Sequence, residues 1–245
     1  MNNKQTLEKL KEMRLFGMAQ MHAQTIQQNK TPSWTADEYL AYLTDHEWEN
    51  RQNRKIGRLL QAANFRQKAS IADIDFSPYR NLDKNMFQRI ASLAFIEKKE
   101  NLIITGATGV GKSYLAQALG NQACVNGLKT YYSTASKLFS RLKLCKVDGT
   151  YLKELNKLTN KDLLIIDDFG LQAFDNFTRE TLLEIIDERL NTGSVIIASQ
   201  IPVSVWHEII GESTIADAIL DRLIHSSHRI DLKGDSMRKG MLDQE

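Results

Sequence analysis

The sequence predicts an α/β fold, a parallel five-stranded sheet covered by helices, preceded by a small all-helical N-terminal domain. Five short apolar runs recur after about residue 85, at 102–105, 130–133, 163–167, 195–199 and 228–232. Stretches of ten or more residues with helical character separate them, and buried strands joined by helices make a parallel sheet. Ahead of residue 70 the periodicity is helical only. At 245 residues the chain has room for both parts, a helical domain over 1–70 and an α/β domain over 71–245.

Residues 4–28 read as a helix, because Leu7, Leu10, Leu15, Met18 and Met21 recur at helical intervals among polar residues. Gly17 is the expected point of interruption. Thr31, Pro32 and Ser33 mark a turn, and a second helical stretch runs from Thr35 to about Phe65. Within it Arg51, Arg54, Lys55 and Arg58 cluster on one face, with Trp48, Ile56, Leu59, Leu60 and Ala63 on the adjacent one. The apolar stripe is expected to dock on the helical domain and leave the basic stripe free. That basic stripe is either a DNA-backbone contact or a subunit contact. Glu47 and Glu49 fall in the early turns of the basic stretch, where a helix dipole favours acid. Residues 73–80, which include Pro78, read as a linker.

Composition narrows the function classes. Hydrophobic residues make up 42% and charged residues 25%, as in a soluble globular protein. The net charge of +2 is unevenly spread: residues 1–70 hold eleven Lys/Arg against seven Asp/Glu, a net of +4, so the remainder nets −2. A basic N-terminal part fits an anionic partner, or a solvated helix face. Cys124 and Cys145 make neither a disulfide framework nor a zinc site, and His225 and His228 lack a third ligand. No signal core and no run of eighteen apolar residues occurs, so no membrane association and a reduced, cytoplasmic location are expected.

The strongest chemical signal is G-A-T-G-V-G-K-S at 106–113, which fits G-x-x-x-x-G-K-[ST]. It follows the apolar NLIIT and precedes the helical KSYLAQALGNQAC, so its context is strand, loop, helix. The candidate ATP-binding residues are Gly106, Ala107, Thr108, Gly109, Val110, Gly111, Lys112, Ser113 and Tyr114. Glycines let successive N–H groups turn inward onto phosphate oxygens, and the helix N-terminus adds its dipole and unpaired donors. Lys112 is expected to reach the β- and γ-phosphates, and the Ser113 hydroxyl to bind Mg²⁺.

LLIIDDFG at 163–170 runs four apolar residues into acid, a buried strand that delivers carboxylates where α/β sheets bind ligands. Asp167 is expected to hold Mg²⁺ through water, and Asp168 to orient or deprotonate the attacking water. The D-x-x-G spelled by 167–170 also fits a GTPase. That class needs Asn-Lys-x-Asp downstream, whereas Asn160-Lys161-Asp162 has the wrong spacing and lies upstream, so GTPase is rejected. The strand SVIIASQ ends in Gln200, whose amide could stand beside the γ-phosphate. Arg222 lies beside the apolar face of Ile219, Leu220 and Leu223, either salt-bridged or solvated, or projecting into a neighbouring subunit's ATP site.

With these parts in order, the sequence resembles the AAA+ ATPases of the helicase-loader group, which includes DnaC. Within that group it is similar to the IstB-like transposition helper ATPases. The likeness runs nearly end to end: LEKLKEMRLFGMAQ, DHEWENRQNRKIGRLLQAANF, ASIADIDF, the P-loop, KDLLIIDDFG, IIASQIPVSVWHEIIG and ADAILDRLIHSSHRIDLKGDSMRKG.

The resemblance implies a P-loop AAA+ core with ATP at 106–113, Mg²⁺ on Asp167, and Asp168 where most AAA+ proteins carry glutamate. It puts Gln200 at the sensor-1 position and makes Arg222 an arginine finger. The sequence stops soon after Arg238, so the usual C-terminal helical lid is not expected, and Arg238 takes part of the sensor-2 role. The helicase-loader group has an extra helix after the second strand. Its counterpart is 135–158, where Lys137, Arg141, Lys143 and Lys146 contact phosphate or form a solvated face. The implied function is an oligomeric, ring or helical, ATPase that binds duplex DNA with low sequence specificity, is stimulated by it, and assists a cognate transposase. The rivals are a DnaC-like replicative helicase loader and a P-loop small-molecule kinase, for which no second substrate pocket or arginine-rich lid can be assigned.

Overall fold

The computed structural model describes residues 3–27 and 34–237. The chain divides into two compact units, Met1–Arg58 and Leu59–Glu245, and the domain division expected at residue 70 falls inside the second. The first unit holds helices α1 (Asn3–Glu12) and α2 (Phe16–Gln27) and most of α3 (Ala36–Ala63). Thr35 and Glu38 open α3 as a capping box: Thr35 N–H donates to Glu38 Oε2 at 2.7 Å, and Glu38 N–H to Thr35 Oγ1 at 3.2 Å.

Two expectations for this unit are corrected. The break between α1 and α2 lies at 13–15, where Arg14 takes a φ of 58°, and Gly17 sits inside α2. Gly17 is there for close approach, since a Cβ would stand 2.6 Å from His46 O on α3. Glu47 lies in the middle of α3, and its buried carboxylate accepts the Gly17 and Met18 amides at 2.7 and 3.3 Å, so it caps a different helix. The Thr31-Pro32-Ser33 turn lies outside the described residues.

The second unit begins with the end of α3 and two single-turn 3₁₀ helices, Ile71–Asp73 and Pro78–Arg80. Then follow α4 (Lys84–Ala91), α5 (Ala94–Glu97), β1 (Asn101–Gly106), α6 (Lys112–Val125), β2 (Thr130–Thr134), α7 (Ala135–Val147), α8 (Tyr151–Thr159) and β3 (Leu163–Asp167). The chain continues through α9 (Asn176–Arg189), β4 (Ser194–Ser199), α10 (Trp206–Ile210), α11 (Ser213–Ile224) and β5 (Ser227–Leu232). The basic stretch 135–158 is thus two helices, separated where Gly149 takes a φ of 74°.

All five expected strands are present, paired parallel in the order β2-β3-β4-β1-β5. Their side chains alternate between two cores. Leu102, Ile104, Ile165 and Ile196 pack against α4, α5 and α6, while Ile103, Leu164, Ile166 and Ile197 pack against α7 to α11. Burial on both faces explains why the centres of β1, β3 and β4 read as unbroken apolar runs, whereas the edge strand β5 buries only Ile230 and Leu232. Below the sheet, the buried Arg189 guanidinium donates to the carbonyls of Leu158, Lys161 and Ser194 at 3.0, 2.9 and 2.7 Å, fixing the starts of β3 and β4.

Candidate functional site

The C-terminal ends of β1, β3 and β4 meet at one place. After β1 the chain turns through 107–111, with Gly109 at φ 86° and Gly111 at φ 95°, and enters α6 at Lys112. Both glycines are close-packed as well as left-handed. A Cβ on Gly109 would lie 2.1 Å from Ser236 Oγ, and one on Gly111 would lie 2.8 Å from Arg80 Nη2. Lys112 is buried and its ammonium donates to Ala107 O at 2.7 Å across the loop. The Thr108 hydroxyl hydrogen-bonds Gln200 Oε1, which joins the loop to the end of β4.

Asp167 ends β3 and is 1% exposed. Its Oδ2 accepts the Tyr132 phenol at 2.7 Å, and its Oδ1 accepts the Asp168 amide at 2.9 Å. Burial, and then the Asp167 carboxylate, push the Tyr132 phenol well above its ordinary value, so it remains a proton donor. Asp168 turns out of the strand at a φ of 56° and its Oδ2 lies 4.0 Å from Arg66 Nη1. Phe169 N–H donates to Ala198 O at 3.0 Å and Ser199 Oγ to Phe169 O at 2.7 Å, locking the acidic end of β3 to β4.

These groups border a cavity of about 380 Å³, lined among others by Thr108, Gly109, Gly111, Lys112, Ser113, Tyr114, Asp168 and Gln200. Four more lining residues, Asp73, Ile74, Asp75 and Arg80, come from the stretch that reads as a linker. Arg80 is 4% exposed and donates to Val110 O at 2.8 Å and to Asp75 O, so it joins that stretch to the phosphate loop. Met237 closes the cavity edge, its amide donating to Gly109 O at 3.0 Å. Sequence reasoning missed Arg66, Arg80, Tyr132 and Met237. The ASIADIDF run was the available signal for the linker side. Arg238 lies outside the described residues.

The donor set suits Mg²⁺. Ser113 and Asp167 offer hard oxygens, and each Asp167 oxygen has a lone pair beyond the hydrogen bond it accepts. Among the described residues no group of three or more His, Cys, Asp or Glu could hold a metal unaided. Mg²⁺ in nucleotide sites takes its remaining ligands from water and phosphate.

Arg222 is not in this cavity. It lies in the last turn of α11, where its carbonyl accepts Asn101 Nδ2 at 3.4 Å at the start of β1. That is the opposite end of the sheet from the phosphate loop. Its guanidinium pairs with Asp187 and donates to Ala218 O at 2.8 Å.

The basic candidates form two groups. In the first unit Arg51, Arg54, Lys55 and Arg58 line one depression with Arg14 and Phe16. The basic stripe is only partly free: Arg51 Nε pairs with Glu47 Oε1 at 2.7 Å, and Arg54 stands 5.0 Å over the Phe16 ring. Trp48, expected on the docked face, is 65% exposed. On α7, Lys137 is exposed, Arg141 pairs with Glu154 at 2.8 Å and Lys143 with Asp175 at 3.1 Å. Lys146 lies 5.2 Å over the Phe177 ring.

The family described as IstB-like ATP binding protein matches residues 8–244. An insertion sequence ATP-binding protein of Sinorhizobium fredii is 42% identical over 234 residues, 96% of each chain. The ATP-binding protein of insertion sequence IS1162 of Pseudomonas fluorescens is 36% identical, covering 83% of this chain and 89% of its own. Among solved structures, AMPPCP-bound DnaA from Aquifex aeolicus has a TM-score of 0.60 at 21% identity, over 74% of this chain and 55% of that one. The DnaC helicase loader has a TM-score of 0.52 at 23% identity, over 64% and 95%. These structures share the AAA+ P-loop fold. No helix among the described residues is long and apolar enough to cross a membrane.

Proposed function

The chain belongs to the IstB-like ATP-binding family, and from that premise we propose that it is an ATPase that assembles on duplex DNA and assists the transposase of an insertion sequence. One observation carries the reading: Lys112, Ser113, Asp168 and Gln200 border a single cavity, with the buried Asp167 directly beside Asp168. The relatives named as insertion sequence ATP-binding proteins, aligned over nearly the whole chain, support the transposition setting.

In this reading Lys112 leaves Ala107 O to contact the β- and γ-phosphates, while the 107–111 amides cradle them. Ser113 and Asp167 would hold Mg²⁺, Asp167 through water, and the ion would supply neutralisation of the charge on the β- and γ-phosphates. Asp168 accepts the proton of the attacking water, and Gln200 orients that water beside the γ-phosphate. Arg222 faces away from its own chain's cavity, so it completes the site of a second copy, in a ring or helical assembly. The basic residues of the first unit and of α7 contact DNA phosphates. Such binding is indifferent to sequence and weakens steeply with salt.

The test is ATP turnover with duplex DNA against a panel of small metabolites, joined to a pull-down with the transposase. DNA should stimulate turnover, and Asp168→Asn should bind ATP normally but lose about 10²- to 10⁴-fold in rate. Stimulation by a metabolite and not by DNA would establish the small-molecule kinase reading instead. Recovery of a replicative helicase without the transposase would establish the helicase-loader reading.

A further inference from the structure

Arg80 is a buried cation that takes no part in the proposed hydrolysis. It is 4% exposed, and its guanidinium donates from Nη2 to Val110 O at 2.8 Å and from Nη1 to Asp75 O. A frame on both sides aims this side chain. Pro78 opens the single 3₁₀ turn that ends at Arg80, and Asn81 leaves it at a φ of 54°. Arg80 O accepts the Lys233 amide at 3.0 Å, and Asn81 Nδ2 donates to Asp231 O at 2.9 Å. The turn is thereby bound to the end of β5 and to the residue after it. From there the guanidinium reaches so close to the phosphate loop that a Cβ on Gly111 would stand 2.8 Å from Nη2.

The effect falls on the next peptide. In a trans peptide the C=O and the following N–H point in opposite directions. Holding Val110 O against Arg80 therefore turns the Gly111 N–H to the opposite side of the loop. The preceding peptide is fixed in the same manner, since the Met237 amide donates to Gly109 O at 3.0 Å. Two consecutive carbonyls are thus occupied by neighbouring segments, and the two amides that follow them, of Val110 and Gly111, have set directions. Successive amides of such a loop are its phosphate ligands. We propose that Arg80 is a positioning residue for nucleotide binding, which presets the Gly111 amide toward phosphate before nucleotide arrives. The inference rests on the phosphate loop being the nucleotide site.

Two physical arguments give the effect its sign. Glycine admits either sense of the Val110–Gly111 peptide, so without a partner for Val110 O the ordering cost falls on the binding step. A charge-assisted bond from a buried guanidinium is strong enough to remove that freedom in advance. Presetting one amide also differs from a direct charge effect. The amide contributes equally to any nucleotide that carries the phosphate it meets, whereas a bare charge favours the more highly charged nucleotide.

Equilibrium binding of ADP and of a non-hydrolysable ATP analogue to the full chain, without DNA, tests the inference. Arg80→Met should weaken both nucleotides by the same factor, about ten-fold. Arg80→Lys keeps a charged donor and should fall between Arg80→Met and the parent protein. If Arg80→Met does not fold, Arg80→Gln takes its place, because its amide stays polar but is too short to reach Val110 O. Parent-like affinity in the Met or Gln variant overturns the inference, as does Arg80→Lys binding as weakly as Arg80→Met or Arg80→Gln. A greater loss for the triphosphate than for ADP also overturns it, in favour of a direct charge contact. Failure of both the Met and Gln variants to fold makes Arg80 a structural residue and overturns it as well. A parent protein that binds neither nucleotide overturns the nucleotide site itself, and the positioning role with it.

Discussion

Tyr132 shows how much of the site depends on single atoms. Its phenol is buried on β2 and gives its proton to Asp167 Oδ2, while the Asp168 amide occupies Oδ1. The two donors fix the plane of a carboxylate that is expected to meet Mg²⁺ through water. Tyr132→Phe removes one donor and leaves that oxygen buried without a partner, at a cost of about 1–3 kcal/mol. The expected result is an Mg²⁺ requirement about ten-fold higher, with Mg²⁺-free nucleotide affinity unchanged, read by titrating Mg²⁺ against the binding of a fluorescent ATP analogue. Equal Mg²⁺ dependence in both proteins would remove Tyr132 from the metal site. The raised phenol value adds that Tyr132 donates throughout the neutral pH range, so this effect carries no pH dependence there.

At the scale of elements, α2 and α3 depend on one buried acid. Burial alone would raise the Glu47 carboxyl, but the Arg51 hydrogen bond and the Gly17 and Met18 amides outweigh it and hold it below its ordinary value of 4.5. A carboxyl lowered on folding stabilises the protein above its unfolded value, and that stability is lost as pH falls through the lower folded value. Glu47→Ala should therefore cost about 1–2 kcal/mol at pH 7. In thermal unfolding its deficit should shrink as the pH falls from about the ordinary value of 4.5 through the lower folded value of Glu47; a deficit constant across pH would contradict this. The same pair of helices marks where sequence reading stops. Strands β1, β3 and β4 were legible because burial on both faces leaves a run of apolar residues, and the phosphate loop because its ligands are contiguous; β5 sends only Ile230 and Leu232 into the core. Gly17 was ambiguous, since glycine serves both helix breaks and close approach, and only the position of His46 decides between them. Arg80 and residues 73–75 read as a linker because their role comes from tertiary placement under Gly111 and beside Val110. Nothing in their local pattern encodes it.

For the whole molecule, the sheet sets a geometric limit on the proposed mechanism. The phosphate loop follows the C-terminal end of β1, whereas Arg222 is bonded to Asn101 at the other end of the same strand. A six-residue strand spans about 20 Å, too far for an arginine side chain to reach its own chain's γ-phosphate. If Arg222 stabilises the transition state, it does so for a second copy, through a head-to-tail contact that generates a ring or a helix. Arg222→Ala should then bind ATP but lose DNA-stimulated turnover, while Lys112→Ala should fail to bind nucleotide at its own site. Mixed in equal amounts, the two inactive proteins place an intact site against an intact arginine at about a quarter of their interfaces. Turnover should reappear in the mixture on DNA at roughly that fraction of the parent rate. A mixture as inactive as its components would mean that Arg222 serves its own chain, where its pairing with Asp187 and Ala218 makes it a structural residue of α11.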